Sequence, residues 1–380
     1  MTGLPKRYDT PTSESRSAGR CVSLLLAMAL CGCSAVETLD FYWQGAAGQM
    51  DILGRARPIA EVIENGGDPT LAARLRRVSE IRAFASRELA LPDNGSYTKY
   101  TDLGRPFVVW NVIATPALSL EPRQWCFPIA GCVNYRGYFR EEDARAQAAK
   151  VGAEGDDVHV SGVPAYSTLG WFDDPVLSSF VRWSDTEVAR LLFHELAHQV
   201  LYVKDDTAFN ESFAVAVEEA GLARWLATQH NPALDAQAMR ARKLRAAFRT
   251  MTRDARVKLA AIYASDVGDD EKRRAKLRTF ADMRAAYENA KAGEPGLAGY
   301  ERWFAQSPNN ASLAALSLYS DRVDAFRVLL QEQSNDLPRF YDRVRELAAL
   351  PRAERDVALV AAASRAPRLA EEGVAGATQR

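Results

Sequence analysis

Charge of one sign is what this 380-residue chain lacks first. Lys and Arg number 48 against 49 Asp and Glu, a formal net charge of −1. A surface built for nucleic acid or another polyanion needs a basic excess, so no such partner is expected. Long apolar runs are scarce too. Residues 22–30 form one near the N-terminus, too short to span a bilayer, and no later segment is long enough. No internal repeat and no extended low-complexity tract interrupts the rest, so one large domain or two closely packed ones are expected. Histidine is rare: only His159, His194, His198 and His230 occur.

Cysteine is nearly as scarce, and its placement is informative. Lys6, Arg7, Arg16 and Arg20 precede the short apolar run, which closes in Leu30-Cys31-Gly32-Cys33. Basic residues, a short run and this ending make a targeting segment over residues 1–32. The ending resembles the bacterial lipobox, which implies a lipid on Cys33 and a chain anchored to a bacterial membrane facing the periplasm. Of five cysteines, Cys21 and Cys31 would leave with the signal. Cys126 and Cys132 remain, and in an oxidising compartment a small disulfide loop is the natural pairing, with a Cys/His metal site as its rival.

Two of the four histidines stand four apart in His194-Glu195-Leu196-Ala197-His198. On a helix that spacing puts both imidazoles on one face, as two corners of a tetrahedral zinc site. Glu195 lies beside them, able to act as general base on a water without ligating the metal. A third protein ligand is required, and Glu211, thirteen residues after His198, fits; Glu218 and Glu219 are alternatives. The helix is signalled by the capping box Ser184-Asp185-Thr186-Glu187 and by apolar spacing to Val203. Lys204-Asp205-Asp206 breaks the pattern, and a second helix follows with Glu211, Val215, Glu218, Leu222 and Leu226 down one side. So short a break predicts an antiparallel hairpin that returns Glu211 to the histidines.

Elsewhere the pattern predicts a helix from Asp68 to Leu89, strands at Phe107–Ala114, Asp157–Gly162 and Ala165–Gly170, and a helix from Glu141 to Val151. Beyond Asp235 the chain reads as helical, over 238–253, 257–264, 271–291, 313–331 and 336–347. The expected class is α+β, predominantly helical: a small mixed sheet precedes the zinc helix pair and a C-terminal helical region. Residues 33–234 would form the first part and 235–380 the second, ending in a frayed tail.

The second zinc helix, Phe209-Asn210-Glu211-Ser212-Phe213-Ala214 through Glu218, resembles the Asn-Glu-Gly-Phe-Ala…Glu helix of aminopeptidase N-like gluzincins. That resemblance implies Glu211 as the zinc ligand and Glu218 as a supporting residue. The connection between the helices is shorter here, and Val215 stands where thermolysin-like enzymes carry an acidic residue. An edge strand for substrate would map to Ala165–Gly170, although it lacks the glutamate of aminopeptidase N.

Taken whole, the chain is similar to the bacterial putative aminopeptidase family that carries a lipoprotein signal. Trp110-Asn111, Trp125-Cys126-Phe127-Pro128, Tyr135-Arg136-Gly137-Tyr138-Phe139 and Asn309-Asn310-Ala311 are among the shared phrases. The resemblance implies a Zn²⁺-dependent peptidase of the cell envelope acting on peptides, an aminopeptidase by name. The alternatives are an endopeptidase of the same mechanism and a lipid-anchored binding or assembly protein with a non-catalytic metal site. In related enzymes a tyrosine stabilises the oxyanion, and Tyr166, Tyr263 and Tyr319 are candidates. Asn310, at a helix start, is a candidate for amide contacts. Asp173, Asp174 and Glu218 are candidates for receiving a substrate's free amine.

Overall fold

A computed structural model describes residues 38–127, 131–317 and 322–365. The chain divides into two compact units, Met1–Gln49 and Met50–Arg380. Residues 38–49 of the first are helical (α1), and Cys33 lies outside the described residues.

The second unit is α+β and predominantly helical, as its sequence predicts. Its residues 50–54 are helical, and β1 (Arg57–Pro58), α2 (Ile59–Glu64) and α3 (Pro69–Leu89) follow. α3 starts where the Asp68 carboxylate accepts the Thr70 amide proton at 2.8 Å, with Pro69 in the first turn. Strands β2 (Lys99–Thr101), β3 (Val109–Thr115), β4 (Trp125–Phe127), β5 (Gly131–Val133) and β6 (Arg136–Tyr138) follow. Then come α4 (Glu141–Ala153), β7 (Asp157–Val163), β8 (Val176–Leu177) and the helix pair α5 (Asp185–Val200) and α6 (Thr207–Gln229). The remainder is helical: α7 (Pro232–Ala264), α8 (Asp269–Gly293), a 3-10 turn at Pro295–Tyr300, and α9 (Glu301–Ala305). α10 (Asn310–Ser317), α11 (Val323–Glu332), α12 (Leu337–Ala348) and α13 (Arg352–Ala363) complete it.

The strands form small sheets. β3 lies between β6 and β7, antiparallel to both, in register from Val109↔Val163 to Thr115↔Asp157. β2 pairs antiparallel with β1 and parallel with β8, so this second sheet is mixed. β4 and β5 form a hairpin with Cys126 opposite Cys132, and the two cysteines are joined by a disulfide.

The larger core gathers Leu75, Val78 and Ile81 of α3 with Leu192 and Phe193 of α5 and Phe213 of α6, all without solvent exposure. Burying each such side chain contributes roughly 1.5–3 kcal/mol, which fixes the helix pair against α3. Gly221 on α6 permits the close approach: a Cβ there would meet Leu89 at 2.7 Å and Phe193 at 2.8 Å. Phe209 meets Phe326 at 5.1 Å and Phe213 meets Phe340 at 5.8 Å, tying α6 to α11 and α12. A smaller core around Phe248, Leu259, Tyr287 and Phe304 holds α7 and α8 together.

Three expectations are corrected. Ala165–Gly170 is irregular and ends in a turn at Leu169-Gly170, rather than forming a strand. Pro164 has no amide proton to give a ladder, the Asp174 carboxylate takes the Thr168 amide at 2.9 Å, and Leu169 and Gly170 have φ of 57° and 81°. The helices anticipated at 238–253 and 257–264 are one, α7, because Asp254-Ala255-Arg256 contains no breaker. The single helix anticipated over 313–331 is two, α10 and α11.

Candidate metal centre

Local chemistry sets the helix pair before any ligand is considered. The Ser184 hydroxyl accepts the Glu187 amide at 3.4 Å and starts α5. Asp185 then takes Arg77 of α3 at 2.8 Å, pinning the start of α5. After Val200 the chain turns through Asp205, whose φ is 63°. Asn210 closes the turn. Its side-chain oxygen accepts the Val203 amide and its nitrogen donates to the Val203 carbonyl, both at 2.8 Å. The Asp206 carboxylate caps α6 by accepting the Phe209 amide at 3.2 Å, and Arg355 of α13 binds it at 2.8 and 3.1 Å.

The return of α6 brings Glu211 to the two histidines. His194 Nε2 lies 3.2 Å from Glu211 Oε2 and 3.2 Å from His198 Nε2, and His198 Nε2 lies 3.7 Å from Glu211 Oε1. One ligand atom from each residue falls within 4.8 Å of the others, so the group could hold a metal ion. Ligands at ~2.0–2.1 Å from a tetrahedral zinc stand about 3.3 Å apart, close to the first two separations. The two Nε2 atoms can share one proton as an N–H···N hydrogen bond, or both present lone pairs to one cation. The His198 Nδ1 is buried without a hydrogen-bond partner. Burial pushes His198 down to about 4, so it is neutral, the form in which imidazole is a ligand.

His194 is held from behind. Its Nδ1 lies 3.2 Å from Glu218 Oε2, while Arg190 binds the other oxygen of Glu218 through Nε at 2.6 Å and through Nη2. This carboxylate orients the ring and leaves Nε2 for the cluster. Burial opposes a charge on His194, but the Glu211 and Glu218 hydrogen bonds outweigh it and raise its pKa well above the usual histidine range. Two carboxylates therefore demand positive charge at this ring, which a proton or a divalent cation can supply. Burial also opposes the charged forms of Glu211 and Glu218; the His194 hydrogen bond to each, with neighbouring positive charge, keeps them low. Glu219, the other alternative ligand, pairs with Arg327 at 2.8 Å.

Glu195 is buried, 7% exposed, and burial lifts its carboxyl to about 7. Asp174 is buried too, and pushed up to about 6 despite the Thr168 hydrogen bonds. Tyr135 stands in the sequence only within a shared phrase and not among the site candidates, yet burial and then the charge of Glu211 raise its pKa, and Glu195 adds to the effect. It follows the disulfide loop, which hooks onto the helix pair: the Cys132 amide donates to Asp205 at 3.3 Å. Gly131, with φ of 74°, is required there, since a Cβ would meet the Asp205 carboxylate at 2.4 Å. A tyrosine three residues beyond a disulfide would have been the signal. Tyr97 was missed as well. Its hydroxyl is buried without a partner, its φ is 65°, and burial followed by the charges of Glu195 and Asp174 raises its pKa.

The remaining candidates are placed differently. The Tyr166 ring packs edge-on to Phe139 at 6.1 Å, and burial and the Asp174 charge raise its pKa. Asn310 is fully buried; its amide accepts the Tyr263 hydroxyl at 2.9 Å and donates to the Ala117 carbonyl at 3.1 Å. Neither contact is with a member of the His–Glu group. Tyr319 lies outside the described residues. A cavity of about 700 Å³ opens beside the cluster, with His194, Glu218 and Arg190 in its wall.

A family model described as Putative aminopeptidase covers residues 40–359. No curated protein and no solved structure matches the chain.

Proposed function

From the premise that the chain belongs to the Putative aminopeptidase family, whose model spans residues 40–359, we propose that it is a zinc-dependent peptidase acting as an aminopeptidase. The observation that carries this is the approach of His194, His198 and Glu211 to one another with a general base, Glu195, buried next to His194. A purely structural metal site has no use for such a base. His194, His198 and Glu211 would hold the ion, with Glu218 fixing the His194 ring. When bound, zinc supplies Lewis acidity, polarising the scissile carbonyl and making a water easier to deprotonate. Glu195 accepts the proton as the water oxygen bonds to the acyl carbon, then passes it to the amine nitrogen as the C–N bond breaks. Tyr135, whose hydroxyl feels Glu211 and Glu195, is the donor we assign to the developing oxyanion. Lipid on Cys33 would hold the enzyme at the envelope membrane.

Metal analysis and peptide hydrolysis test this together. Wild-type protein should carry one zinc per chain, and His194→Ala, His198→Ala and Glu211→Ala should each lose it. Glu195→Gln should keep the metal and lose hydrolysis, and Tyr135→Phe should keep it with kcat down about 100-fold. Peptides with a free amine should be cleaved and their N-acetylated forms spared; cleavage of both alike makes the enzyme an endopeptidase. Full metal in Glu211→Ala, or wild-type turnover by Glu195→Gln, refutes the assignment.

A further inference from the structure

Of the three acids that the sequence offers for a substrate's free amine, one is left available. Glu218 is engaged at both oxygens, by His194 at 3.2 Å and by Arg190 at 2.6 Å. Asp173 is exposed, and its carboxylate stands against Gly95, where a Cβ would meet it at 2.3 Å. Asp174 differs from both. It is 4% exposed, and among the described residues its carboxylate has one partner, Thr168, whose amide donates to Oδ2 at 2.9 Å. No lysine, arginine or histidine pairs with it there. Its Oδ1 makes no hydrogen bond and is not one of the fully buried polar atoms, so it meets open space.

The turn that carries Asp174 is tied to the general-base side of α5. Glu195 and Gln199 stand four apart on that helix and share a face. Gln199 Oε1 accepts from Asn94 Nδ2 at 2.8 Å, and its Nε2 donates to Ser96 Oγ at 3.2 Å. The same Oε1 lies 3.9 Å from where a Gly170 Cβ would stand. Tyr97, next after Ser96, donates its amide to the Asp174 carbonyl at 2.6 Å. Segments 94–97 and 168–174 thus lie together against the Glu195 face. Burial raises the Glu195 pKa first, and the Asp174 charge adds to it after that of Glu211. The Tyr97 hydroxyl feels Glu195 and Asp174 as well, and it is buried without a partner, a cost that a phenylalanine would avoid. Its φ of 65° is a second cost for an aromatic residue, and costs of this kind gather at functional sites.

We propose that Asp174 receives the α-ammonium group of the substrate's first residue, a reading that rests on the proposed aminopeptidase function. With a divalent ion bound, His194 and His198 are neutral ligands, and the charges of Glu211 and Glu195 balance the ion. Arg190 balances Glu218. Asp174 is then a buried negative charge that nothing among the described residues balances. An ammonium donates to Oδ1 while Oδ2 keeps the Thr168 amide, so docking needs no rebuilding of the turn. Such a charge-assisted bond is strong where water is excluded, and the Tyr97 ring, 2% exposed, excludes it on one side. Because Asp174 belongs to the Glu195 side of the helix pair, the amine is held next to the base, and the first peptide bond is the one presented. An N-blocked or internal segment brings no cation to Asp174 and leaves its carboxylate buried and unbalanced, so free N-termini are preferred.

Binding rather than turnover tests this, with two zinc-binding probes of one skeleton: leucine hydroxamate and isocaproyl hydroxamate, which lacks only the amine. Each would be titrated calorimetrically into the metal-loaded full chain at neutral pH, where an α-amine is largely protonated. The amine form should bind about 10–100-fold more tightly, the range for a hydrogen bond to a charged group. Asp174→Asn keeps an acceptor for the Thr168 amide, so it should fold and hold zinc as the wild type does while the ratio falls towards one. Asp174→Ser, which also keeps an acceptor, should do the same, and Asp173→Asn should leave the ratio as it is. A wild-type ratio near one, or a ratio that survives both Asp174 variants, overturns the proposal. Zinc-dependent peptide hydrolysis with equal binding of the two probes would remove the amine site and leave the peptidase. An intact, Asp174-dependent ratio with no hydrolysis of any peptide would remove the peptidase reading and leave the amine site.

Discussion

Asn210→Ala should loosen the turn that brings Glu211 to the histidines. The side chain is 1% exposed and makes two hydrogen bonds of 2.8 Å to Val203, one as acceptor and one as donor. Each such bond contributes about 1 kcal/mol net, and truncation also strands the Val203 amide and carbonyl, which water reaches only in part. A loss of about 2–3 kcal/mol is expected. Asn210→Asp keeps the acceptor but sets a carboxylate against the Val203 carbonyl, so it should be no better. Urea unfolding of metal-free protein, followed by tryptophan fluorescence and by circular dichroism, isolates the effect, because a bound ion would add its own stabilisation by mass action. Metal titration should in parallel show affinity reduced about ten-fold, as for other residues that orient a ligand from behind. A destabilisation below ~0.5 kcal/mol with unaltered metal affinity would mean that helix packing alone sets the turn, and the clamp would be incidental.

Arg355→Leu should be among the most damaging substitutions far from the metal. Arg355 and Asp206 have side chains 5% and 1% exposed, and removal of the cation leaves a buried carboxylate at the start of α6; a loss of about 3–5 kcal/mol is expected. Arg322, 3.6 Å from the other oxygen of Asp206, offers limited compensation. Adding Asp206→Asn should recover part of the stability in thermal unfolding; strictly additive losses would show that the two do not act as a pair. At the other end of the chain, Cys33→Ser should release the protein from the membrane fraction, and a correctly processed variant that stays membrane-bound would end the lipid-anchor proposal.

Much of the metal centre was legible because its determinants are local. Ser184, the apolar spacing after it and the break at Lys204-Asp205-Asp206 specify two helices and a short turn within one stretch of chain. What escaped was non-local or cooperative. Arg355 stands 149 residues from Asp206, and no periodicity points from one to the other. Ala165–Gly170 has the composition of a strand, but a distant rule wins: Asp174 folds back onto Thr168 and the chain turns. The helix α13 carries ordinary helix-forming residues and went unread because nothing chemical marked it.

The choice between Glu211 and Glu218 shows where spacing stops and geometry begins. Both lie on one side of α6, two turns apart, and either carboxylate suits a zinc ion. Their roles are separated by the antiparallel offset of the pair, which the six-residue connection 201–206 sets. Glu211, next to the turn, meets the Nε2 atoms of His194 and His198. Glu218, further along, passes the Nδ1 edge of His194 and meets Arg190, one turn earlier on α5. A carboxylate tied to an arginine and to the far nitrogen of a ligand orients that ligand rather than binding the ion. Sliding α6 along α5 by about two helical turns would bring the second glutamate to the level that the first now holds. The length of the turn, held by Asn210, therefore decides which acid is ligand and which is support.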